Sequence, residues 1–191
     1  MIDLLGYAGK QVVVTGAASG MGAATAQLLL DQGAVVTALD IAPVNVSAAV
    51  SLHADMQDQA SLDAALSHCP ARVDALFNCA GVPSPPASLE DTVLINFCGL
   101  RYLTESLLGR MGEGSAIASI ASTAGMGWRN CKPLVDEFLA LDNALAAGRA
   151  WLAANPDEVA DGYGFSKQCL IVYTKSQAAT LAQRGIRINT I

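Results

Sequence analysis

Short runs of β-branched and apolar residues alternate along the chain with longer stretches in which apolar positions recur every three or four residues. Gln11-Val12-Val13-Val14 reads as a first strand, and Met21 to Asp31 as a helix with Met21, Thr25, Leu28 and Leu29 on one face. Ala34 to Leu39 predicts a second strand, Val50 to Ala54 a third, Ser61 to Ser67 a helix and Val73 to Phe77 a fourth strand. Ser88 followed by Asp91 is a capping-box-like start to a long helix running to about Arg110, striped by Leu89, Val93, Leu100, Leu103 and Leu107. Ser115 to Ile120 predicts a fifth strand and Asp161 to Gln183 a helix on Leu170, Ile171, Thr174, Ala178 and Leu181. Gly185 stops that helix before a sixth strand opens at Ile186-Arg187-Ile188.

The strand runs are apolar throughout, with no alternation. Strands buried on both faces read this way, so the pattern predicts a parallel sheet covered by helices on both sides, a doubly wound α/β fold in three layers. No internal repeat or linker interrupts it, and Pro83-Ser84-Pro85-Pro86 is a loop too short to separate one domain from another. Residues 1–191 are therefore expected to form a single domain that runs into a sixth strand.

Composition narrows the partners. Of the 191 residues 52% are apolar and 15% charged, enough to bury a full core, and 17 acidic against 11 basic residues give a formal charge of -6. That balance opposes phosphate contacts and attraction to anionic lipid, so neither nucleic acid nor a membrane surface is expected as a partner. The uncharged stretch Gln11 to Leu30 is long enough to span a bilayer but carries Thr15, Ser19, Thr25, Gln27 and three glycines, which argues against a span. The N-terminus lacks the basic and apolar blocks of a secretion signal. Five cysteines at 69, 79, 98, 131 and 169 form neither a C-x-x-C pair nor a metal-ligand set with His53 and His68, so the expectation is reduced thiols, no metal and a cytoplasmic location.

The first chemical signal is Thr15-Gly16-Ala17-Ala18-Ser19-Gly20-Met21-Gly22, between the first strand and its helix. Glycines there let the backbone turn tightly and approach a pyrophosphate, whose charge is drawn to free N–H groups at the helix start. Gly16, Ser19, Gly20, Met21 and Gly22 are thus candidate cofactor residues of a Rossmann-like fold. Asp40 ends the second strand twenty residues after Gly20, where a carboxylate accepts hydrogen bonds from ribose hydroxyls and repels a 2'-phosphate. No Lys or Arg occurs among Ala17, Ala18, Ser19 or Ile41 to offset that repulsion, so NAD is favoured over NADP. An acid at this place also occurs in methyltransferases that bind S-adenosylmethionine.

Tyr163-Gly164-Phe165-Ser166-Lys167 is the second, independent signal. It places Tyr163 and Lys167 four apart on one helical face. A phenol with an ordinary pKa of about 10 is protonated at neutral pH, and a neighbouring ammonium favours its phenolate form, which makes such a pair suited to general acid-base work.

Taken together these residues resemble the short-chain dehydrogenase/reductase family over nearly the whole chain. Asn78-Cys79-Ala80-Gly81 stands in place of the family's N-N-A-G, Asn96 lies in the long helix, Ser122 follows the fifth strand and Arg187-Ile188-Asn189-Thr190 comes near the end. The resemblance implies that Ser122 holds the substrate oxygen, Tyr163 transfers a proton, Lys167 binds the nicotinamide ribose and assists the tyrosine, and Asn96 holds a relay water. It also implies cofactor contacts from Asp55, Asn78, Ala80 and Gly81. Ser119 is a second serine on the same strand, but the run Ile120-Ala121-Ser122-Thr123-Ala124-Gly125 aligns Ser122 with the family position. Asn96 also reads as a buried asparagine at a helix irregularity. The family's P-G turn, nicotinamide contacts and substrate loop after the sixth strand fall outside residues 1–191.

Ser122 and Tyr163 are forty-one positions apart, farther than in most of the family. Between them lie Phe138, Leu139, Leu141, Leu145, Trp151 and Leu152, and Asn155-Pro156-Asp157-Glu158 reads as a fresh helix start, so a helical insertion is expected over about 126–160. It resembles the branch holding 3α-hydroxysteroid dehydrogenase/carbonyl reductase and coniferyl-alcohol dehydrogenase. Two roles are expected for it, a wall of an apolar substrate pocket and a cover over the helix surface through which the family commonly pairs subunits. The implied activity is NAD-dependent hydride transfer with a bulky apolar alcohol or its ketone or aldehyde, in a homodimer or homotetramer. A general carbonyl reductase and a catalytically silent NAD-binding sensor are the alternatives.

Overall fold

The computed structural model describes residues 5–46 and 50–191. Six parallel strands form one sheet: β1 Gln11–Thr15, β2 Val35–Asp40, β3 Val50–His53, β4 Ala75–Asn78, β5 Ala116–Ser119 and β6 Arg187–Thr190, in the order β3-β2-β1-β4-β5-β6. Among the described residues seven α-helices connect and cover them: α1 Gly20–Asp31, α2 Gln59–His68, α3 Leu89–Val93, α4 Gly99–Leu107, α5 Lys132–Leu139, α6 Leu145–Ala154 and α7 Gly162–Ala182. This is the three-layer, doubly wound, Rossmann-like arrangement that the continuous apolar runs predict.

Both faces of β1 are dry. Val12 and Val14 pack with Val36, Ala38, Ala26 and Leu29 on one side, and Val13 packs with Leu39, Leu76 and Ile117 on the other, so the middle of the strand is apolar on both faces and only its ends, Gln11 and Thr15, are polar. β1 is flanked by β2 and β4, and Thr15 registers with both Leu39 and Asn78. The strand order reverses between β1 and β4, which opens a crevice at the carboxyl ends of the strands, the place where such sheets bind ligands.

Three local expectations are corrected. The face of α1 is not Met21, Thr25, Leu28 and Leu29: Gly22, Ala26 and Leu29 are buried, while Met21 and Leu28 are exposed. The helix is apolar nearly all round, so periodicity selects no single face, and the small residues are the ones that let it approach the sheet closely. The long helix after Ser88 begins as expected, with Ser88 Oγ accepting from the Asp91 N–H at 3.0 Å, but residues Leu94–Cys98 form a π turn and Leu108–Arg110 a 3₁₀ turn. At its midpoint Gly99 runs in contact with the Met56 carbonyl, which would lie 2.1 Å from a Cβ on Gly99. Such an irregularity leaves no mark on apolar spacing, and π turns are frequent at functional sites.

The third correction concerns the insertion. Its helices are α5 and α6, preceded by 3₁₀ turns at Thr123–Arg129, and Asn155-Pro156-Asp157-Glu158 makes only a turn. Helix α7 starts later because Asp161 caps it: its carboxylate accepts from the Tyr163 and Gly164 N–H groups, both at 3.0 Å. His53 and His68 are exposed, and the five cysteines are free thiols. Among the described residues no group of His, Cys, Asp and Glu is arranged to hold a metal, and no helix is long and apolar enough to cross a membrane.

Candidate active site

The crevice is built on the turn from β1 to α1. Gly16 has φ +67°, and a Cβ there would lie 2.8 Å from the Ala80 backbone; a Cβ on Gly22 would lie 2.0 Å from the Gly16 carbonyl oxygen. Only glycine fits either position, and the loop is thereby packed against residues 79–81; the Ala17 and Ala18 N–H groups are taken by the Leu39 carbonyl and Asp40, while those of Gly20, Met21 and Gly22 stay free. Ser19, at the N-cap of α1, makes no side-chain capping bond, and no acid occupies the first turn. Those free N–H groups and the helix dipole form a cradle for a negatively charged group. Thr15, wholly buried, fixes the opposite bank, its Oγ1 accepting from the Cys79 and Ala80 N–H groups at 3.1 and 3.0 Å.

A cleft of about 380 Å³ runs from this loop along the sheet edge, lined by Gly16, Ser19, Gly20, Met21 and Gly22 together with Asp40, Asp55, Ala80 and Gly81. Asp40 Oδ2 accepts from the Ala18 N–H and Oδ1 from the Ala42 N–H, each at 2.9 Å, so the carboxylate also holds the glycine loop in shape. Asp55 Oδ1 accepts from the Gln57 N–H at 2.9 Å. Among the described residues no Lys or Arg lines this cleft, which carries two carboxylates without a compensating cation.

At its far end the cleft continues into a space of about 200 Å³ bounded by Met21, Gly81, Val82, Ile120, Tyr163 and Lys167. Lys167 is 4% exposed; its Nζ donates to the Ile120 carbonyl at 2.8 Å and stands 5.6 Å from the centre of the Tyr163 ring. Burial pushes its ammonium down to about 8. Asn96 sits in the π turn, fully buried, and Gly81 leaves room for it: a Cβ on Gly81 would come 3.2 Å from Asn96 Oδ1 and 3.9 Å from Lys167 Nζ. A phenol beside a desolvated ammonium, opening on a groove with an anion cradle, is suited to moving a proton next to a bound nucleotide.

Residues 10–133 match the family model described as short chain dehydrogenase. The chain belongs to the short-chain dehydrogenase family. A coniferyl-alcohol dehydrogenase from Pseudomonas sp. (strain HR199 / DSM 7063) is 35% identical over 183 residues, covering 95% of this chain and 71% of that one. A 3-alpha-hydroxysteroid dehydrogenase/carbonyl reductase from Comamonas testosteroni is 30% identical over 191 residues, covering 94% and 70%. Among solved structures, the 3-alpha-hydroxysteroid dehydrogenase from Pseudomonas sp. B-0831 complexed with NADH superimposes with a TM-score of 0.75 at 27% identity, covering 94% of this chain and 70% of that one. The chain thus spans about 70% of the length of these relatives, and it is an oxidoreductase by family.

In this short-chain dehydrogenase the structure brings Tyr163, Lys167, Gly81 and the glycine loop around one cleft. Asn78 is not in it. Its Nδ2 donates to Thr104 Oγ1 at 3.0 Å and Ser119 Oγ at 3.1 Å inside the core, and its Oδ1 is buried without a partner, so it fixes the end of β4 instead of lining the cofactor groove. The same bond engages Ser119 in the core, while Ser122, half-buried past the end of β5, is absent from the lining of both spaces; its Oγ accepts from the Ala124 N–H at 3.2 Å. Asn96 commits both amide donors to protein, to the Val82 carbonyl at 3.0 Å and to Ser166 Oγ at 3.4 Å, so its side chain braces the loop after β4. Sequence reasoning missed Thr15, Asp161 and Ser166; of these only Asp161, a capping aspartate just before Tyr163, left a readable signal.

Trp151 of the insertion lines neither space of the cleft. That ring is 8% exposed and its Nε1 donates to Glu137 Oε1 at 2.8 Å, and it packs with Phe138, Leu145 and Leu152 in the main core, away from the cleft. A helical segment with this much apolar surface lowers its free energy more by burying it, at about 1.5–3 kcal/mol per large side chain, than by lining an open groove.

Proposed function

We propose that the chain is an NAD-dependent dehydrogenase or reductase acting on a bulky apolar alcohol and its carbonyl partner, a hydroxysteroid or an aryl alcohol such as coniferyl alcohol. The observation that carries the reading is the continuous cleft from the α1 cradle to Tyr163 and Lys167, with two acids and no cation along its adenosine side. The glycine turn and Gly81 leave the backbone bare where a dinucleotide would lie, so the residues fit NAD. Gly16, Ser19, Gly20, Met21 and Gly22 would hold the pyrophosphate, Asp40 the adenosine ribose, Asp55 the adenine side, and Lys167 the nicotinamide ribose. Asp40 and Asp55 would repel a 2'-phosphate. When bound, the nicotinamide supplies or accepts the hydride.

The chain's own residues would handle the proton and the substrate oxygen. Ser122 would orient the oxygen by a hydrogen bond. Tyr163 would take the hydroxyl proton during oxidation and return it to the developing alkoxide during reduction, with the Lys167 ammonium favouring the phenolate. Met21, Val82, Pro83 and Ile120 give the space next to Tyr163 apolar sides, which favours a ring-bearing substrate over a short polar one. The substrates in the names of the two curated relatives, a coniferyl alcohol and a 3-alpha-hydroxysteroid, agree with that chemistry.

The test is absorbance of the reduced cofactor on mixing the chain with NAD and coniferyl alcohol or a 3α-hydroxysteroid. Turnover with a ring-bearing alcohol, exceeding that with ethanol at equal concentration, is expected. NAD binding without turnover of any alcohol would leave the sensor reading instead.

A further inference from the structure

Phe165 lies in the turn between Tyr163 and Lys167, yet its side chain leaves the cleft. It is 4% exposed and is held by two rings of the inserted helices. Trp151 of α6 stacks on it, with 6.0 Å between ring centres and 6° between planes, and Phe138 of α5 meets it edge-on at 5.3 Å and 64°. Trp151 and Phe138 also contact each other at 5.0 Å and 65°, and the Trp151 bond to Glu137 fixes the direction of the indole.

The segment that carries this slot is itself tied to the body of the protein. Arg101 donates to the Leu141 carbonyl at 3.2 Å, Asn143 Nδ2 to Glu105 Oε2 at 2.6 Å and the Leu145 N–H to Gln59 Oε1 at 3.3 Å, while Arg149 pairs with Glu90. Helices α2, α3 and α4 thus anchor α6 and the loop before it. From the other side Ser166, wholly buried, donates to the Tyr163 carbonyl at 2.7 Å and accepts from Asn96 at 3.4 Å.

We propose that Phe165 is a positioning residue, seated in an aromatic slot of Phe138 and Trp151 through which the inserted helices set the turn of α7 that presents Tyr163 and Lys167. The proposal rests on Tyr163 and Lys167 being the proton-transfer pair. A single turn of helix carries all three residues, so a rotation of Phe165 moves the phenol and the ammonium with it. Misplacement of a catalytic group by about 1 Å lowers rate on the order of a hundredfold. Loosening the turn also admits water to Lys167 Nζ, which moves its proton affinity back toward the ordinary lysine value.

The experiment compares Trp151→Ala, Phe165→Leu and the conservative Trp151→Phe in the full chain. The measurements are kcat and KM for NAD and for a ring-bearing and a small alcohol, the Lys167 titration by carbon-13 NMR at its ε-methylene, and the folded fraction from urea titration. Trp151→Ala and Phe165→Leu should lower kcat about tenfold with both alcohols, change the KM of either alcohol less than about twofold while that of NAD rises, and raise the Lys167 titration midpoint. Trp151→Phe should restore kcat to within about twofold. A kcat loss that only follows the folded fraction, with the Lys167 midpoint unmoved, overturns the proposal and leaves packing alone. A KM that rises for the ring-bearing alcohol only overturns it in favour of a substrate wall. If Trp151→Ala does not fold, Phe165→Leu and Trp151→Phe carry the comparison. A wild type without turnover would fail the functional reading, and the Lys167 midpoint in the variants would still decide the positioning role.

Discussion

Asn96 and Val82 are joined by a pair of hydrogen bonds: the Val82 N–H donates to Asn96 Oδ1 at 2.8 Å, and Asn96 Nδ2 donates back to the Val82 carbonyl at 3.0 Å. One buried amide thereby replaces a strand partner for the loop after β4 and holds Gly81 and Val82 against the cleft. Asn96→Ala should destabilise the fold by about 1–3 kcal/mol, because both Val82 groups lose their partner. Asn96→Asp should be at least as damaging, since a carboxylate accepts from the N–H but faces the carbonyl with like charge. Urea unfolding of the three proteins checks both, and an unchanged midpoint in Asn96→Ala would remove the clamp.

Tyr163 is held by its main chain, through Asp161 and Ser166, and not by its hydroxyl. Tyr163→Phe should therefore fold normally and bind NAD nearly as wild type while turnover falls by about a hundredfold or more. Calorimetric titration with NAD alongside initial rates separates the two effects. Retained turnover would take the proton-transfer role away from this residue.

Asp40 closes the adenosine end of a cleft that has no lining cation there. Asp40→Ala should weaken NAD, because the carboxylate also holds the Ala18 N–H, and should narrow the preference for NAD over NADP. The ratio of kcat/KM for the two cofactors in wild type and variant is the measurement. A wild type that prefers NADP would reverse the reading of this position.

Lys167 links the site to pH. Burial lowers its proton affinity from the ordinary 10.5 to about 8, so between these values the unfolded chain retains a proton that the native chain has released. The unfolded state then binds more protons, and stability rises with pH across that window; below about pH 8 both states are protonated and the burial penalty is fully present. At about 1.36 kcal/mol per pKa unit the gain is roughly 3 kcal/mol, and Lys167→Met should lack it. Burial raises the thiols of Cys69, Cys98 and Cys169, which act in the opposite sense in the upper part of the range, so the readout is the difference between the two proteins in urea midpoints from pH 7.5 to 10. Identical slopes would exclude Lys167 as the cause.

The sequence by itself determined the layers and the positions of the chemistry. Val12, Val13 and Val14 admit no polar face, so β1 had to be central; the glycines at 16, 20 and 22 had to make a turn, with Gly16 and Gly22 in close contact; Tyr163 and Lys167, one helical turn apart, had to share a face. These are local consequences of side-chain size, backbone freedom and helical period. Tertiary structure decided the rest. Whether Met21 faces core or cleft, whether Asn78 reaches a cofactor or Thr104, and whether Trp151 lines a pocket or grips Phe165 depend on which neighbour arrives from elsewhere in the chain. An apolar or amide side chain satisfies either environment, so its spacing carries no vote. The π turn at Asn96 is the clearest case, a shift of register made possible by Val82, fourteen residues earlier, whose N–H and carbonyl both bond to its amide.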